Sequence, residues 1–290
     1  MKGISKLVLL AVLVFVVTVF MAAPVMAASK GKLVKEHKYK ISYYEKGKWT
    51  TKGYKYYVNK YKYSKKGDLA AVTNKSRKNG KKEKTQWTEK YKLTYKKGKL
   101  YKSDFNEESY SSTTYYKKNV PIREEYSDDD GSGIAEFTYK SRYLSRRDTT
   151  FNYSDEEYGD PDTPSITTVE YDVQTKDGYP VKISRTDADY EYRTVVTFYT
   201  KGAKKGLIKK AVEKSDDGYR HEFKYSYKIK KGQVKSYTMK DTETLSSGKV
   251  YKIKQTGTFK YTKKKAGDKR YRSMINSILS PSPSFFVTYW

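Results

Sequence analysis

Tyrosine and lysine are the side chains with chemical reach in this sequence, and they interleave. Tyr54-Lys55-Tyr56-Tyr57 and Tyr61-Lys62-Tyr63 set phenol rings next to ammonium groups. Such rings stack on sugars or bases while lysines hold phosphates. The pattern nominates Tyr54, Tyr56, Tyr61 and Tyr63 as aromatic contacts, and Lys55, Lys62, Lys96, Lys97, Lys230 and Lys231 as contacts to an anionic polymer. A competing reading comes from backbone geometry. Successive side chains on a strand point to opposite faces, so the same alternation builds a ring-covered core face and a lysine-covered solvent face. Lysine outnumbers arginine 51 to 10. It is a flexible point charge without a planar fork, so any binding is expected to be diffuse and salt-sensitive. Exposed lysines also guard sheet edges against aggregation.

Other chemistries have little to work with. There is no cysteine, and His37 and His221 are the two histidines. Disulfides, thiol catalysis and cysteine-ligated metals are therefore absent, and imidazole is scarce. Carboxylates cluster at Asp128-Asp129-Asp130-Gly131-Ser132-Gly133 and at Asp155-Glu156-Glu157-Tyr158-Gly159-Asp160-Pro161-Asp162. Both read as solvated hairpin tips. Asp128, Asp130, Asp155 and Asp160 are candidate calcium ligands, although neither cluster has the alternating spacing of an EF-hand. Glycoside hydrolysis would require two carboxylates in an enclosed site that separates their pKa values, which crowded tip acids do not supply. His221 continues an aromatic strand face and reads as a hydrogen-bonded core histidine; His37 reads as exposed. No cofactor and no catalytic residue are expected.

These side chains must be held by strands. His221, Phe223, Tyr225, Tyr227 and Ile229 alternate with Glu222, Lys224, Ser226, Lys228 and Lys230, a period of two with one aromatic and one charged face. The same period runs through Tyr190 to Phe198, Val169 to Val173, Val181 to Ile183, Tyr251 to Ile253 and Phe259 to Tyr261. Beyond residue 27, Leu, Ile, Val and Phe number 39 of 263 residues, a share low enough to signal disorder. The 32 tyrosines and 3 tryptophans all lie in that part and overturn the signal, because such rings suit a pleated, half-buried surface. Helical spacing is confined to Asp268–Leu279, with Asp268 as N-cap, a stripe of Tyr271, Met274, Ile275, Ile278 and Leu279, and Pro281 as the stop.

Turns repeat. Tyr63-Ser64-Lys65-Lys66-Gly67-Asp68-Leu69, Tyr95-Lys96-Lys97-Gly98-Lys99-Leu100 and Ile229-Lys230-Lys231-Gly232-Gln233-Val234 each run from a strand end through a lysine-rich turn to an apolar restart. Looser copies surround Gly47, Asn119, Gly178 and Gly206. Glycine or asparagine at the turn is what a positive φ requires, and Gly98 and Gly232 are expected to adopt one. Two strands fit in each interval, so the unit is a β-hairpin and the whole an antiparallel meander, an extended or curled sheet for which an open barrel is one form. These turns resemble the Tyr-x-x-x-Gly-x-Leu pattern of secreted bacterial tyrosine-rich hairpin proteins of the YD-repeat kind, across roughly residues 39–261. Here Tyr-Lys mostly replaces Tyr-Asp. The likeness implies an antiparallel sheet on a cell surface, with no catalytic residues to carry over.

At the amino end, Lys2 and Lys6 precede an apolar run from Leu7 to Phe20 and the small-residue stretch to Ala27. Residues 1–27 read as a signal peptide cleaved between Ala27 and Ala28, because the run is shorter than the roughly 20 residues that span a bilayer. Retention as an anchor is the alternative. Residues 28–290 read as one domain, closing with a strand at 284–290. That terminal aromatic strand is also how an outer-membrane barrel ends, but lysines interrupt the strands where such a barrel needs an apolar band.

The charge, +28 overall, is segregated: residues 28–102 hold 25 basic and 5 acidic groups, 103–193 hold 11 and 21, and 194–290 hold 23 and 7. The expectation is a secreted, all-β binding or structural module attached through lysines to anionic envelope polymers: teichoic-acid-like chains, other cell-envelope polysaccharides or extracellular nucleic acid. The alternatives are a secreted polysaccharide hydrolase and a structural surface spacer.

Overall fold

The computed structural model describes residues 31–280 except Gly80, Asn119, 141–142, 155–162, 188–192 and 216–217. The expected signal peptide with its Ala27/Ala28 junction, the tip acids Asp155 and Asp160, and the expected strand 284–290 lie outside the described residues.

Seventeen strands follow one another: β1 (Gly31–Glu45), β2 (Lys48–Thr50), β3 (Tyr54–Tyr63), β4 (Leu69–Lys78), β5 (Lys84–Lys96), β6 (Lys99–Asn106), β7 (Tyr110–Lys117), β8 (Val120–Asp128), β9 (Gly131–Lys140), β10 (Tyr143–Tyr153), β11 (Ser165–Lys176), β12 (Tyr179–Asp187), β13 (Arg193–Phe198), β14 (Ile208–Lys214), β15 (Arg220–Lys230), β16 (Gln233–Thr244) and β17 (Val250–Ala266). Among the described residues one α-helix, α1, spans Asp268–Leu279. All pairings are antiparallel between chain neighbours, and β17 returns to pair with β1 from Gly31↔Ala266 to Tyr43↔Ile253. β1 also pairs with β3. The short β2 pairs with the far end of β1, from Tyr43↔Thr50 to Glu45↔Lys48. The meander therefore closes into a barrel of sixteen strands, with β2 as a spur.

Closure assigns each strand an inside and an outside. Along β15, Phe223, Tyr225 and Tyr227 are buried while Lys224, Ser226 and Lys228 are exposed. Register carries this pattern around the ring: Phe223 faces Ala211 on β14 and Asp241 on β16, and Tyr237 faces Gly257. Gly257 is required there, since a Cβ would lie 2.5 Å from the Tyr237 ring and 2.9 Å from the Lys38 carbonyl oxygen.

The hairpin turns alternate between two ends, and α1 blocks one of them. Its Asn276 Oδ1 accepts from the Ile208 amide at 3.0 Å and its Nδ2 donates to the Gly206 carbonyl at 2.9 Å. Arg270 donates to the Gly67 carbonyl at 2.8 Å, and the inward Tyr225 hydroxyl donates to the Leu279 carbonyl at 2.9 Å. Tyr271, Met274, Ile275 and Leu279 are buried, as the helical stripe predicts, whereas Ile278 is only partly so. The expected N-cap is displaced by one residue. Gly267 occupies that position, and Asp268 sits in the first turn, where it accepts from Arg272 at 2.7 Å and from the Tyr179 hydroxyl at 2.6 Å.

His37 corrects a second expectation. It is 2 % exposed, stacked between Tyr39 and Phe259 at 4.9 and 4.8 Å. Its Nε2 lies 2.8 Å from the Tyr237 hydroxyl, to which the Gln255 amide also donates. The sequence signal was present in the His37, Tyr39, Ile41 alternation, which places His37 on the ring-bearing face of β1.

Candidate polyanion-binding surface

The outer wall is built from the residues that alternate with the buried ones. On β5, Lys90 and Lys92 are exposed between the inward Glu89, Tyr91 and Leu93; on β17, Thr256, Thr258 and Lys260 flank the buried Gly257 and Phe259. The side chains named from the sequence divide across this wall. Lys55, Lys62, Lys96, Lys97, Lys230 and Lys231 are all exposed. Tyr61 is 6 % exposed in the core, and Tyr63 donates its hydroxyl to the Val34 carbonyl at 2.8 Å, so neither offers a ring to a ligand. Tyr54 and Tyr56 are half-buried, with Lys78 Nζ 5.3 Å from the first ring and Lys38 Nζ 3.6 Å from the second. Cations thus already occupy faces of the two rings that remain.

Strand closure brings together what the sequence keeps apart. The basic segments 28–102 and 194–290 correspond to β1–β5 with the start of β6 and to β13–β17, and the β17–β1 pairing joins them into one continuous basic arc. The acidic segment becomes the rest of β6 with β7–β12, the opposite side of the ring. At the seam a shallow outer groove is lined by Lys38, Lys40, Lys55 and Tyr56 together with the hydroxyl side chains Ser236, Thr238, Thr256 and Thr258. One acid within the arc, Glu222, is neutralised by three neighbouring cations. Burial works against ionisation of Glu222, but Lys210 at 2.8 Å, Lys224 and Arg220 at 2.6 Å hold its carboxyl down to about 2.

The carboxylate tip behaves as a turn. Asp128 Oδ1 accepts from the amides of Asp130 and Gly131, each at 3.1 Å. Among the described residues no group of three or more His, Asp or Glu is arranged to hold a metal ion. His221 is hydrogen-bonded inside the barrel, with Nε2 2.7 Å from Asp241 Oδ1 and Nδ1 3.3 Å from the Tyr219 hydroxyl.

Two interior acids escaped the sequence reading. Glu89 and Glu124 are each 2 % exposed, and burial pushes both carboxyls up to about 7, against a hydrogen bond from Tyr91 in the first case and the nearby Arg147 in the second. Their signal was positional: Glu89 alternates with Trp87 and Tyr91 on one face, and Glu124 shares a face with Tyr126.

No family model and no curated protein matches this chain. Solved structures do. A porin-like protein from Bacteroides uniformis overlays with a TM-score of 0.53 at 13% identity, covering 80% of this chain and 98% of that one. A protein of unknown function from the DUF3598 family of Nostoc punctiforme aligns over 81% of this chain and all of its own, at 8% identity with a TM-score of 0.18, too loose a fit to carry an argument. The first likeness is one of fold: an antiparallel meander closed into a barrel. The YD-type resemblance finds no matching family model.

Proposed function

We propose that this barrel is a cell-surface binding module that attaches through its lysines to anionic envelope polymers. The observation that supports this most is the seam. Pairing of β17 with β1 merges two separately basic segments into one uninterrupted arc and moves the acidic segment to the other side. A strongly net-basic arc concentrates a flexible polyanion, and releasing its counterions drives binding without any base- or sugar-specific contact.

The wall also bears on where the barrel works. A barrel in lipid needs an outward apolar band about 25 Å tall. Here the outward positions of β5, β15 and β17 carry exposed lysines, and no helix among the described residues is long and apolar enough to cross a membrane. The wall chemistry supports a barrel that works in water with its aromatic side chains turned inward, the reverse of a membrane barrel's polarity.

The test is co-sedimentation of the purified protein with cell-envelope fractions and with long-chain inorganic polyphosphate, in about 50 and 200 mM salt. Retention at low salt that is lost at high salt supports the reading. Absence of binding at low salt leaves the spacer and hydrolase alternatives.

A further inference from the structure

Five of the hairpin turns have two-residue loops whose first residue is not glycine yet has a positive φ: Lys46 (+49°), Lys97 (+47°), Lys118 (+53°), Asp177 (+53°) and Lys231 (+51°). Gly47, Gly98, Gly178 and Gly232 follow four of them, also with positive φ, the pattern of the type I′ turn. That turn favours asparagine, aspartate or glycine at its first position, because a Cβ there crowds the following carbonyl. Lysine has neither glycine's freedom nor a short polar group to hydrogen-bond locally. Four of the five turns nevertheless carry it. Strain kept where a cheaper residue would serve is a mark of function.

The topology sorts these lysines. Lys97, Lys118 and Lys231 project from the end that α1 blocks, and Lys46 from the opposite end. Next to them at the helix end stand the exposed Lys65 and Lys66 of the β3–β4 turn. The carboxylates of the turns and helix at this end are engaged: Asp68 lies 3.6 Å from Arg270, Asp177 accepts from Lys205 at 2.8 Å, and Asp268 pairs with Arg272. The described turns at the other end are mixed, with the acidic Glu107-Glu108 and Asp128-Asp129-Asp130 beside the exposed Lys81, Lys82 and Lys249.

We infer that the helix-blocked rim is the end by which the barrel grips a phosphate-backbone polymer, with Lys97, Lys118 and Lys231 as strained contact tips. This rests on the polyanion reading above and adds an orientation to it: the barrel stands on its basic rim with the acidic tips pointing away.

The experiment compares K97N/K118N/K231N with K46N, using long-chain polyphosphate as the probe and thermal melting as the second readout. Asparagine suits the turn, so every replacement should raise Tm, by on the order of 1–2 °C per site. The triple variant should bind roughly ten- to a hundredfold more weakly at low salt and show a salt slope shallower by about two to three. K46N should gain stability and lose less affinity than any single rim variant, since it removes arc charge but no rim contact. Equal losses in K46N and in a single rim variant, or parental binding by the triple variant, would overturn the orientation while leaving the function intact. If the parent itself does not bind polyphosphate, the underlying reading fails instead.

Discussion

Glu124 and His37 sit in the same interior but set opposite pH limits on the fold. Glu124 takes up its proton more readily when folded, so its contribution is complete below the unfolded carboxyl value near 4.5 and is lost as pH rises through about 7. Glu89 behaves in the same way. His37 is held neutral, with burial lowering its value from 6.5 to about 3, so its contribution is present above 6.5 and is lost as pH falls towards 3. Stability should therefore peak between these windows, in mildly acidic solution. Replacing Glu124 with glutamine removes one alkaline term. E124Q should match the parent near pH 5 and exceed it at pH 9 by on the order of 3 kcal/mol, the linkage expected for a shift of this size. Urea melts across that range measure the difference, and parallel curves for the two proteins would show that Glu124 is not buried as a neutral acid. At this scale legibility depended on whether a residue's neighbours revealed its face. Phe223, Tyr225 and Tyr227 announce an inward side. His37 and Glu89 share such a side but are polar types that usually face water, so type misleads where spacing does not.

The hairpins and the helix were the most legible elements. Gly98 and Gly232 have φ of +77° and +75° in two-residue turns, as the lysine-rich turn pattern implies. Valine at either position should lower stability by about 1–2 kcal/mol, read as a shift in denaturation midpoint; midpoints equal to the parent's would remove the turn assignment. What the sequence reading missed is that the preceding lysine is strained too, because propensity assigns a positive φ to glycine and asparagine and not to lysine. For α1, the spacing of Tyr271, Met274, Ile275 and Leu279 predicted both the extent and the buried stripe. Its seat was not predictable, because Asn276 reaches the Gly206–Ile208 backbone some 70 residues away in sequence. That side chain is 3 % exposed, and removing it orphans a buried amide and a carbonyl. N276A should therefore cost about 2–3 kcal/mol and loosen α1 before the strands. Amide exchange would show this as lost protection in 268–279 and at Ile208; uniform loss through the barrel would mean that α1 unfolds only with the whole.

At the scale of the molecule, local pattern specified everything except closure. Alternation and turns define fifteen of the sixteen ring contacts as pairings between chain neighbours or near neighbours, but β1 with β17 joins residues more than 200 positions apart. No local signal announces that pairing, which is why an open or curled sheet and a closed barrel read alike from sequence. Closure nonetheless decides the electrostatics. In an open sheet the two basic segments would lie at opposite edges with the acidic one between them; in the ring they are adjacent, and the seam groove with Lys38, Lys40 and Lys55 lies within their union. The salt response should follow from that arc. Affinity for polyphosphate should fall steeply between about 50 and 200 mM salt, its logarithm falling linearly with the logarithm of salt concentration, with a slope that grows in proportion to the phosphates neutralised. Replacing Lys40 and Lys55 with glutamine should flatten that slope by about two and leave the fold intact, since both side chains are exposed. The same number of replacements on the wall of the acidic side, away from the helix-blocked rim, at Arg146 and Lys182, should flatten it less. Equal flattening by both pairs would mean that net charge alone, and not the joined arc, governs attachment.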